Sequence, residues 1–361
     1  MKVLYVSPHF PVKNSGGCVV SKRNYAALCN YYGENNVISY PIIRRGNRNP
    51  MIMLLHDLMS LGWGYSNRDK KEIIEVARAK EARLVFFDSS LYGGLARYVK
   101  RRLDVKTIVF FHNVEYDFVK SLVVIKKSYL YSYRIFLAYK NEKDAIKGAD
   151  EIISLTQKDS LRLNELYGRK ADKIIPVSLR RKAGLNNMSG TYSAPIRLLF
   201  FGSNFPPNIE AIGILINEIL PSVNAHLVIA GNGMEELNNA YPKSNKYEIR
   251  GFVEDVDALY SACDIVVLPI MSGSGMKVKT AEALMYGKNI IATGNALEGY
   301  DTKSIPGVVK CETSQDFINA INSFDTSLPW LNIEAQKSFL LNYSHEAALK
   351  SFKEVFEGLE Q

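Results

Sequence analysis

The stretch of residues 263–292 constrains most strongly what this 361-residue chain can fold into. The apolar run 264–270 predicts a buried strand, and residues 276–286 predict a helix that Gly287 ends. A second buried strand, 289–293, follows at once. Strand, glycine loop, helix and strand form a βαβ unit. Its loop lies at the carboxyl end of a strand, where open α/β sheets bind ligands.

Two lysines, Lys277 and Lys279, lie in the first turn of the predicted helix. The helix dipole disfavours cations there unless an anion lies in front of them. Gly273 and Gly275 let the backbone approach such an anion, and the free N–H groups would donate to it. Glu282 on the same helix can accept two sugar hydroxyl groups. The pattern predicts a nucleotide site; the alternative is a solvent-facing helix with an ordinary Lys279–Glu282 ion pair.

The composition is that of an ordinary globular protein, 47% hydrophobic and 23% charged, and the length predicts two domains of about 150 residues. The four cysteines have no C-x-x-C spacing, so neither a disulfide framework nor a zinc site is indicated. No apolar run approaches the roughly 18 residues of a membrane span, and the apolar run near the start is too short for a signal peptide. We therefore expect a cytoplasmic location.

Basic residues concentrate in the first half of the chain. Residues 1–185 hold 33 Lys and Arg against 17 Asp and Glu, a balance of +16, whereas the remainder hold 12 against 20, a balance of −8. Nucleic acid and an anionic membrane surface are the two partners that such a half suggests. The third possibility is a surface that is merely well solvated.

Short apolar runs alternate with helical patterns along the chain, which predicts doubly wound parallel sheets. The predicted strands are residues 2–7, 36–42, 84–88, 107–111, 151–156 and 173–177 in the first half and 196–201, 225–230, 247–253, 265–270 and 289–293 in the second. Helices are predicted at 18–32 and 91–102, from the segment after His112 to 147, and at 344–358.

Glycine-rich loops follow several of the predicted strands. Gly202 and Ser203 end the strand 196–201, and Gly231 ends the next strand, so both loops lie at the same sheet edge as Gly273. Neither G-N-G-M-E-E nor G-S-G-M-K-V supplies the third glycine of a dinucleotide fingerprint, and no Walker lysine loop is present. These absences weigh against NAD-dependent and ATP-hydrolysing enzymes.

Four blocks of the second half, in order over residues 196–301, resemble the nucleotide-binding domain of family 4 glycosyltransferases. They are F-G-S-N-F-P-P-N-I-E-A-I, L-V-I-A-G-N-G, I-R-G-F-V-E-D-V-D-A-L-Y-S-A-C-D-I-V-V-L-P and G-S-G-M-K-V-K-T-A-E-A-L-M-Y-G-K-N-I-I-A-T. The first half is similar more loosely, through the Gly16-Gly17 loop, the H-N-V-E block and K-N-E-K-D-A-I-K-G-A-D-E-I-I-S-L-T.

The resemblance implies the α/β GT-B fold, in which two Rossmann-like, doubly wound domains face each other across a cleft. Residues 1–180 would form a basic acceptor-binding domain and 181–195 a linker. Residues 196–340 would bind the nucleotide sugar. Residues 341–361 would form a C-terminal helix that crosses back to the first domain.

The activity implied by the resemblance is transfer of a hexose, with retention, from a nucleotide diphosphate sugar to an acceptor hydroxyl in cell-surface polysaccharide or glycolipid synthesis. We expect a UDP-sugar rather than a GDP-sugar, no cofactor and no metal, and a sugar or lipid-linked acceptor. The basic half would rest on the anionic cytoplasmic membrane face, and no nucleic acid partner is expected. The alternatives are a nucleotide-sugar 2-epimerase-like isomerase and a non-catalytic nucleotide-sugar-binding partner protein.

Roles for single residues also follow from the resemblance. Lys277 would neutralise the leaving diphosphate, and His112, after the strand 107–111, would lie near the donor sugar; the alternative for His112 is a core histidine that caps its strand. Glu282 would hold the ribose hydroxyls, and Phe252 and Val253 would pass near the base. The predicted donor-binding residues are Gly16, Gly17, Gly202, Ser203, Phe252, Val253, Gly273, Ser274, Gly275, Met276, Lys277, Lys279 and Glu282.

The chain departs from the family pattern at two places. Ser274 stands where many members have the first glutamate of an E-x₇-E pair, which leaves the donor sugar undetermined. Ser203 and Asn208 stand where many have Arg and Lys, so phosphate neutralisation should depend more on Lys277. Asp255-Val256-Asp257 is similar to a metal-binding D-x-D motif, but its place at a helix start favours capping.

Overall fold

The computed structural model divides the chain into two compact units. The first comprises Met1–Val177 with Ala348–Gln361, and the second Ser178–Ala347. The residues described are 1–8, 16–42, 54, 55, 57, 59, 63–125, 132–181, 190–273 and 275–360. Ser274 and most of the predicted linker, residues 182–189, lie outside this range.

Within its described part, the first unit contains a six-stranded sheet in the order β2-β1-β3-β4-β5-β6, and every adjacent pair is parallel. Strands β1 and β3 are buried along their whole length, as expected for a parallel sheet with both faces covered. The strands are β1 Val3–Ser7, β2 Val37–Pro41, β3 Leu84–Phe87, β4 Lys106–Phe111, β5 Glu151–Ser154 and β6 Lys173–Ile174.

The helices of the first unit differ from the sequence prediction in three places. The first begins at Gly16 rather than at 18, so both glycines belong to its first turn. The predicted helix 91–102 is shorter, and the segment between His112 and 147 contains helices over 115–125 and from 133 onward, with residues 126–131 outside the described range. The helices are α1 Gly16–Tyr32, α2 Asn67–Ala79, α3 Gly93–Lys100, α4 Glu115–Ile125, α5 Tyr133–Gly148 and α6 Gln157–Tyr167.

Glycine explains how closely α3 packs on α5. A side chain at Gly93 would lie 1.9 Å from the backbone oxygen of Asn141, and one at Gly148 would lie 2.5 Å from the backbone nitrogen of Arg97. Any larger residue would push the two helices apart. The last helix of the chain also packs on this unit: its Phe356 ring lies 5.2 Å from the rings of Tyr31 and Tyr32 on α1.

The second unit holds a second six-stranded parallel sheet among its described residues, in the order β12-β11-β10-β7-β8-β9. Strand β12 was not predicted, because its four residues include the exposed Lys310 and carry no continuous apolar run. The strands are β7 Ile196–Phe201, β8 Ala225–Ala230, β9 Tyr247–Ile249, β10 Ile265–Leu268, β11 Asn289–Thr293 and β12 Val308–Cys311.

The strand predicted over 247–253 is too long. It ends at Ile249 because the chain then turns along the sheet edge, where the backbone oxygen of Gly251 accepts from the backbone nitrogen of Gly231.

The remaining helices are α7 Pro206–Ile214, α8 Val256–Ser261, α9 Val278–Met285, α10 Ser314–Asn322, α11 Ile333–Ser338 and α12 His345–Glu360. The predicted α/β class with two Rossmann-like parallel sheets is confirmed. Among the described residues, no helix combines the length and the apolar composition needed to cross a bilayer.

Candidate functional site

Three loops meet at the carboxyl edge of the second sheet, because β10, β7 and β8 are neighbours. The loops after β7 and β8 touch directly: Gly202 N donates to Ala230 O over 2.9 Å, and a side chain at Gly231 would lie 1.8 Å from Gly202 O. Gly231 also has a φ of +138°, which only glycine adopts readily. Because these residues are glycines, the backbone carries no side chains where β7 and β8 end. The sequence predicted glycine loops at this edge of the sheet.

The loop after β10 is held in a fixed shape. Gly273 and Gly275 have φ values of +100° and +74°. Asn295 donates to Gly273 O over 2.9 Å, and the hydroxyl of Tyr300 donates to Lys277 O over 2.8 Å. The Lys277 ammonium group closes the loop by donating to Gly273 O at 3.1 Å and to Gly275 O at 2.6 Å.

Helix α9 begins two residues later than predicted, at Val278. Lys277 is its N-cap, with an extended backbone, and Met276 is buried in the loop rather than in the first turn. The expectation of two lysines in the first helical turn is therefore wrong for Lys277 and right for Lys279. The difference arises because the Lys277 side chain is bonded back to its own loop, which keeps that residue out of the helix.

Lys279 brings a positive charge to the end of β7. Its ammonium group donates to Asn208 Oδ1 and lies 4.6 Å from the centroid of the Phe200 ring. Asn208 in turn donates from Nδ2 to Ser203 O over 2.7 Å. Burial lowers the pKa of Lys279 to about 7; the charge of Glu282 opposes this and that of Lys277 adds to it. An enclosed cation of this kind gains stability from a bound anion.

Glu282 lies one turn beyond Lys279 on a helix that is mostly buried, with Thr280, Ala281, Ala283 and Leu284 in the core. The alternative of a solvent-facing helix is therefore wrong. Burial and then the Glu282 charge raise the pKa of Tyr260, on α8, well above its usual value.

The two residues predicted near a base lie in the loop that follows β9, not in a strand. Phe252 is 74% exposed, the largest exposed fraction among the described aromatic residues, and Val253 is partly buried. Asp255 accepts from Ala258 N over 2.9 Å and caps α8, and Asp257 accepts from the hydroxyl of Tyr286. Capping is thus the role of Asp255, as the sequence indicated.

In the first unit, His112 lies at the end of β4 and is held by Asp88 at the end of β3. Its Nε2 is 3.0 Å from Asp88 O and 3.2 Å from Asp88 Oδ1. Burial alone would raise the pKa of Asp88, but the His112 ring and the donor from Asn24 hold it below its usual value. Sequence reasoning missed Asp88, although its place at a strand end beside the strand of His112 was a usable signal.

The predicted site residues divide between the two units. Gly16, Gly17 and His112 belong to the first, and Ser274 lies outside the described residues. In the second unit the structure brings together the loops of Gly202, Gly231 and Gly273 with Lys277, Lys279 and Glu282.

Residues 195–324 match the family model described as glycosyl transferases group 1. An uncharacterized 44.6 kDa protein in the cps region of Klebsiella pneumoniae is 24% identical over 278 residues, covering 71% of this chain and 69% of that protein.

Two solved structures share the fold over nearly the whole chain. HepE of Anabaena, in complex with UDP and glucose, matches with a TM-score of 0.68 and 14% identity, covering 99% of this chain and 100% of that chain. Sucrose-phosphate synthase of Thermosynechococcus elongatus matches with a TM-score of 0.70 and 14% identity, covering 99% and 98%. Residues 195–324 of the second unit are therefore similar to group 1 glycosyl transferases, and the chain has the GT-B fold.

Proposed function

We propose that this chain is a retaining hexosyltransferase that takes its sugar from a UDP-sugar, works without a metal or other cofactor, and serves cell-surface polysaccharide or glycolipid synthesis. The observation that supports it most is the contact of Lys279 with Asn208 beside Gly202, inside the segment that matches group 1 glycosyl transferases. This contact means that a cation lies beside the glycine loops at the sheet edge, within the segment that matches the family model.

The charge of the leaving diphosphate is met by lysines and backbone N–H groups in this proposal. Lys279 supplies one cation, next to the end of β7. Lys277 supplies a second after exchanging its bonds to Gly273 O and Gly275 O for phosphate oxygens. Each charge-assisted hydrogen bond contributes about 1.5–3 kcal/mol. Two such cations perform the neutralisation for which other enzymes use a divalent metal.

The nucleoside is held by groups on either side of these lysines. Glu282 accepts the ribose hydroxyl groups from its position one turn into α9, and the exposed ring of Phe252 covers the base with Val253 beside it. UDP is the favoured nucleotide because HepE, which shares the fold, was solved with UDP and glucose.

His112 is the proposed contact of the first unit with the donor sugar. Its ring is anchored on one side by the buried Asp88, while 12% of its side chain is exposed at the carboxyl edge of the sheet. His112→Ala should therefore lower transfer strongly while leaving the fold intact.

The proposed setting is the cytoplasmic membrane face, where a sugar or lipid-linked acceptor would be found. The relative from a cps region and the basic balance of residues 1–185 support it. Met59 and Phe136 are exposed, and the Tyr133 hydroxyl donates to Asp57 over 3.4 Å, so the two exposed apolar residues belong to adjoining segments. Vesicles with anionic lipid should retain the protein at low salt and release it at high salt; no retention at low salt would remove the membrane from the proposal.

The transfer reaction is tested by product analysis. The full chain, in EDTA, is mixed with UDP-glucose or UDP-galactose carrying a labelled sugar and with candidate glycan and glycolipid acceptors. Label on the acceptor with the α-configuration of the donor is the expected result. A changed free sugar nucleotide without acceptor would instead indicate an epimerase, and no turnover with any UDP- or GDP-sugar would indicate a non-catalytic binding protein.

A further inference from the structure

A completely buried carboxylate, Asp88, anchors the ring of His112. The two residues follow the neighbouring parallel strands β3 and β4. His112 Nε2 lies 3.0 Å from the backbone oxygen of Asp88 and 3.2 Å from its Oδ1. The hydroxyl of Tyr5 donates to the other carboxylate oxygen, Oδ2, over 2.8 Å. Asp88 is thus held from both sides and holds one edge of the His112 ring.

The backbone oxygen of Asp88 decides which ring nitrogen of His112 carries the proton. A carbonyl oxygen only accepts hydrogen bonds, so a ring nitrogen 3.0 Å from it has to donate. The ionised carboxylate favours the same proton position, because it is also an acceptor. Neutral His112 therefore carries its proton on Nε2, and Nδ1 is then the accepting nitrogen of the ring.

Two residues of α1 orient the carboxylate in turn. Asn24 donates from Nδ2 to Asp88 Oδ1 over 2.6 Å, and it accepts at its own Oδ1 from Arg23 Nε over 2.8 Å. Because a guanidinium group has no acceptor, the Arg23 bond fixes which end of the Asn24 amide is the oxygen. The amide NH₂ group is thereby turned toward Asp88.

The last helix completes this arrangement through one aromatic ring. The guanidinium carbon of Arg23 lies 5.2 Å from the ring centroid of Phe352 on α12 and 5.5 Å from that of Phe110 on β4. Phe110 also packs edge-on against His112 with centroids 5.0 Å apart. Burial lowers the pKa of Arg23 to about 10, so the group stays charged at neutral pH.

We propose that Asp88 is the positioning residue of His112 in sugar transfer, and that Arg23, Asn24 and Phe352 complete the network that fixes the His112 ring in its Nε2–H form. The catalytic consequence rests on the proposed function. The network itself is a property of the first unit, and it gives α12 a role in the site besides packing.

The test reads the tautomer of His112 directly, without substrate. Long-range proton–nitrogen NMR on the full chain labelled with ¹⁵N-histidine separates the two ring nitrogens, and the His112 signals are those lost in His112→Gln. We expect the wild-type proton on Nε2. Asp88→Asn keeps the backbone acceptor and the side-chain shape but removes the carboxylate charge, so the ring should be held less firmly: the His112 nitrogen signals should shift or broaden, and kcat should fall at least about tenfold with KM for the donor nearly unchanged. An Nδ1 proton in the wild type, or unchanged signals and kcat in Asp88→Asn, would overturn the proposal.

Phe352→Leu is the variant to measure if Asp88→Asn does not fold. It also tests whether the last helix contributes to the network. It removes the aromatic ring from Arg23 and should shift the His112 signals in the same direction as Asp88→Asn. Leu359→Ala is the control, because Leu359 is buried on the same helix, seven positions beyond Phe352. Equal signal changes in both variants would contradict the network. A chain without transfer activity whose His112 signals behave as expected would refute the proposed function and leave the network standing.

Discussion

The ammonium group of Lys279 donates a hydrogen bond to the side-chain oxygen of Asn208 and so joins the first turn of α9 to the first turn of α7. Asn208 carries no charge, so this bond orients the ammonium group without neutralising it. The Phe200 ring, 4.6 Å away, excludes water from one side. A cation that is oriented, enclosed and not neutralised by its hydrogen-bond partner is suited to bind an anion, and four predictions depend on this arrangement and the loops around it.

Removing the charge of Lys279 should weaken nucleotide binding. Lys279→Met should lose a charge-assisted bond of about 1.5–3 kcal/mol, which raises the Kd for UDP by roughly 10- to 150-fold. Calorimetric titration measures this. Lys337→Met is the control, because Lys337 is exposed and paired with Glu334 on α11. Equal UDP affinity in Lys279→Met and the wild type would show that the cation does not contact the ligand.

The affinity for a UDP-sugar should depend on pH through Lys279. Its pKa is lowered to about 7 in the free chain, and a bound diphosphate favours the charged form and raises that pKa. Binding is therefore strongest below the pKa of the free chain and weakens, by at most about tenfold per unit, as the pH rises toward the pKa of the complex. UDP-glucose is the ligand to use, because the terminal phosphate of UDP itself titrates near pH 6. Lys279→Met should flatten the profile; a slope that persists in this variant would assign it to another group.

A methyl group at Gly202 should displace the Lys279 ammonium group. The added carbon would lie 2.9 Å from Lys279 Nζ and 3.0 Å from Asn208 Nδ2. Since the flexible end of a side chain can move aside, Gly202→Ala should lower UDP affinity with little change in Tm. Gly358→Ala on α12 has open space around the new carbon and should leave affinity unchanged while stabilising the helix by roughly 1 kcal/mol. Unchanged affinity in Gly202→Ala would contradict the placement of the cation.

The exposed Phe252 should contribute to binding through the base alone. Stacking of a base on an aromatic ring contributes about 1–3 kcal/mol, so Phe252→Ala should weaken UDP and leave inorganic diphosphate unaffected. Stability should change by no more than about 0.5 kcal/mol, because the ring is 74% exposed. Phe136→Ala, also exposed, serves as the control variant. A parallel loss for UDP and diphosphate would mean that Phe252 shapes the loop rather than the base contact.

The second sheet and its glycine loops could be predicted from the sequence because each depends on local patterns. The buried strand β10, the loop at Gly273 and the helix end at Gly287, with φ of +59°, all follow from neighbouring residues. Strand β12 escaped prediction because packing, not an apolar run, makes it a strand. The start of α9 was misplaced because a side-chain bond from Lys277 to its own loop overrides the helical pattern.

The contacts that organise the two candidate sites could not be predicted, because they join distant residues. The sequence showed that Asn208 stands where many family members have a basic residue. Only the fold shows that the ammonium group of Lys279, 71 positions later, lies beside Asn208. Asp88 and His112 are 24 positions apart, and their meeting depends on the pairing of β3 with β4. Sequence reasoning located the strand ends, and the fold determined which side chains meet across them.

The most direct measurement is calorimetric titration of UDP, GDP, ADP and NAD in EDTA, with wild type and Glu282→Ala. We expect UDP to bind more tightly than the others without metal, and Glu282→Ala to weaken UDP binding because the ribose hydroxyls lose their acceptor. Binding of none of the four, or UDP binding that Glu282→Ala leaves unchanged, would contradict the assignment of the second unit as a UDP-sugar site.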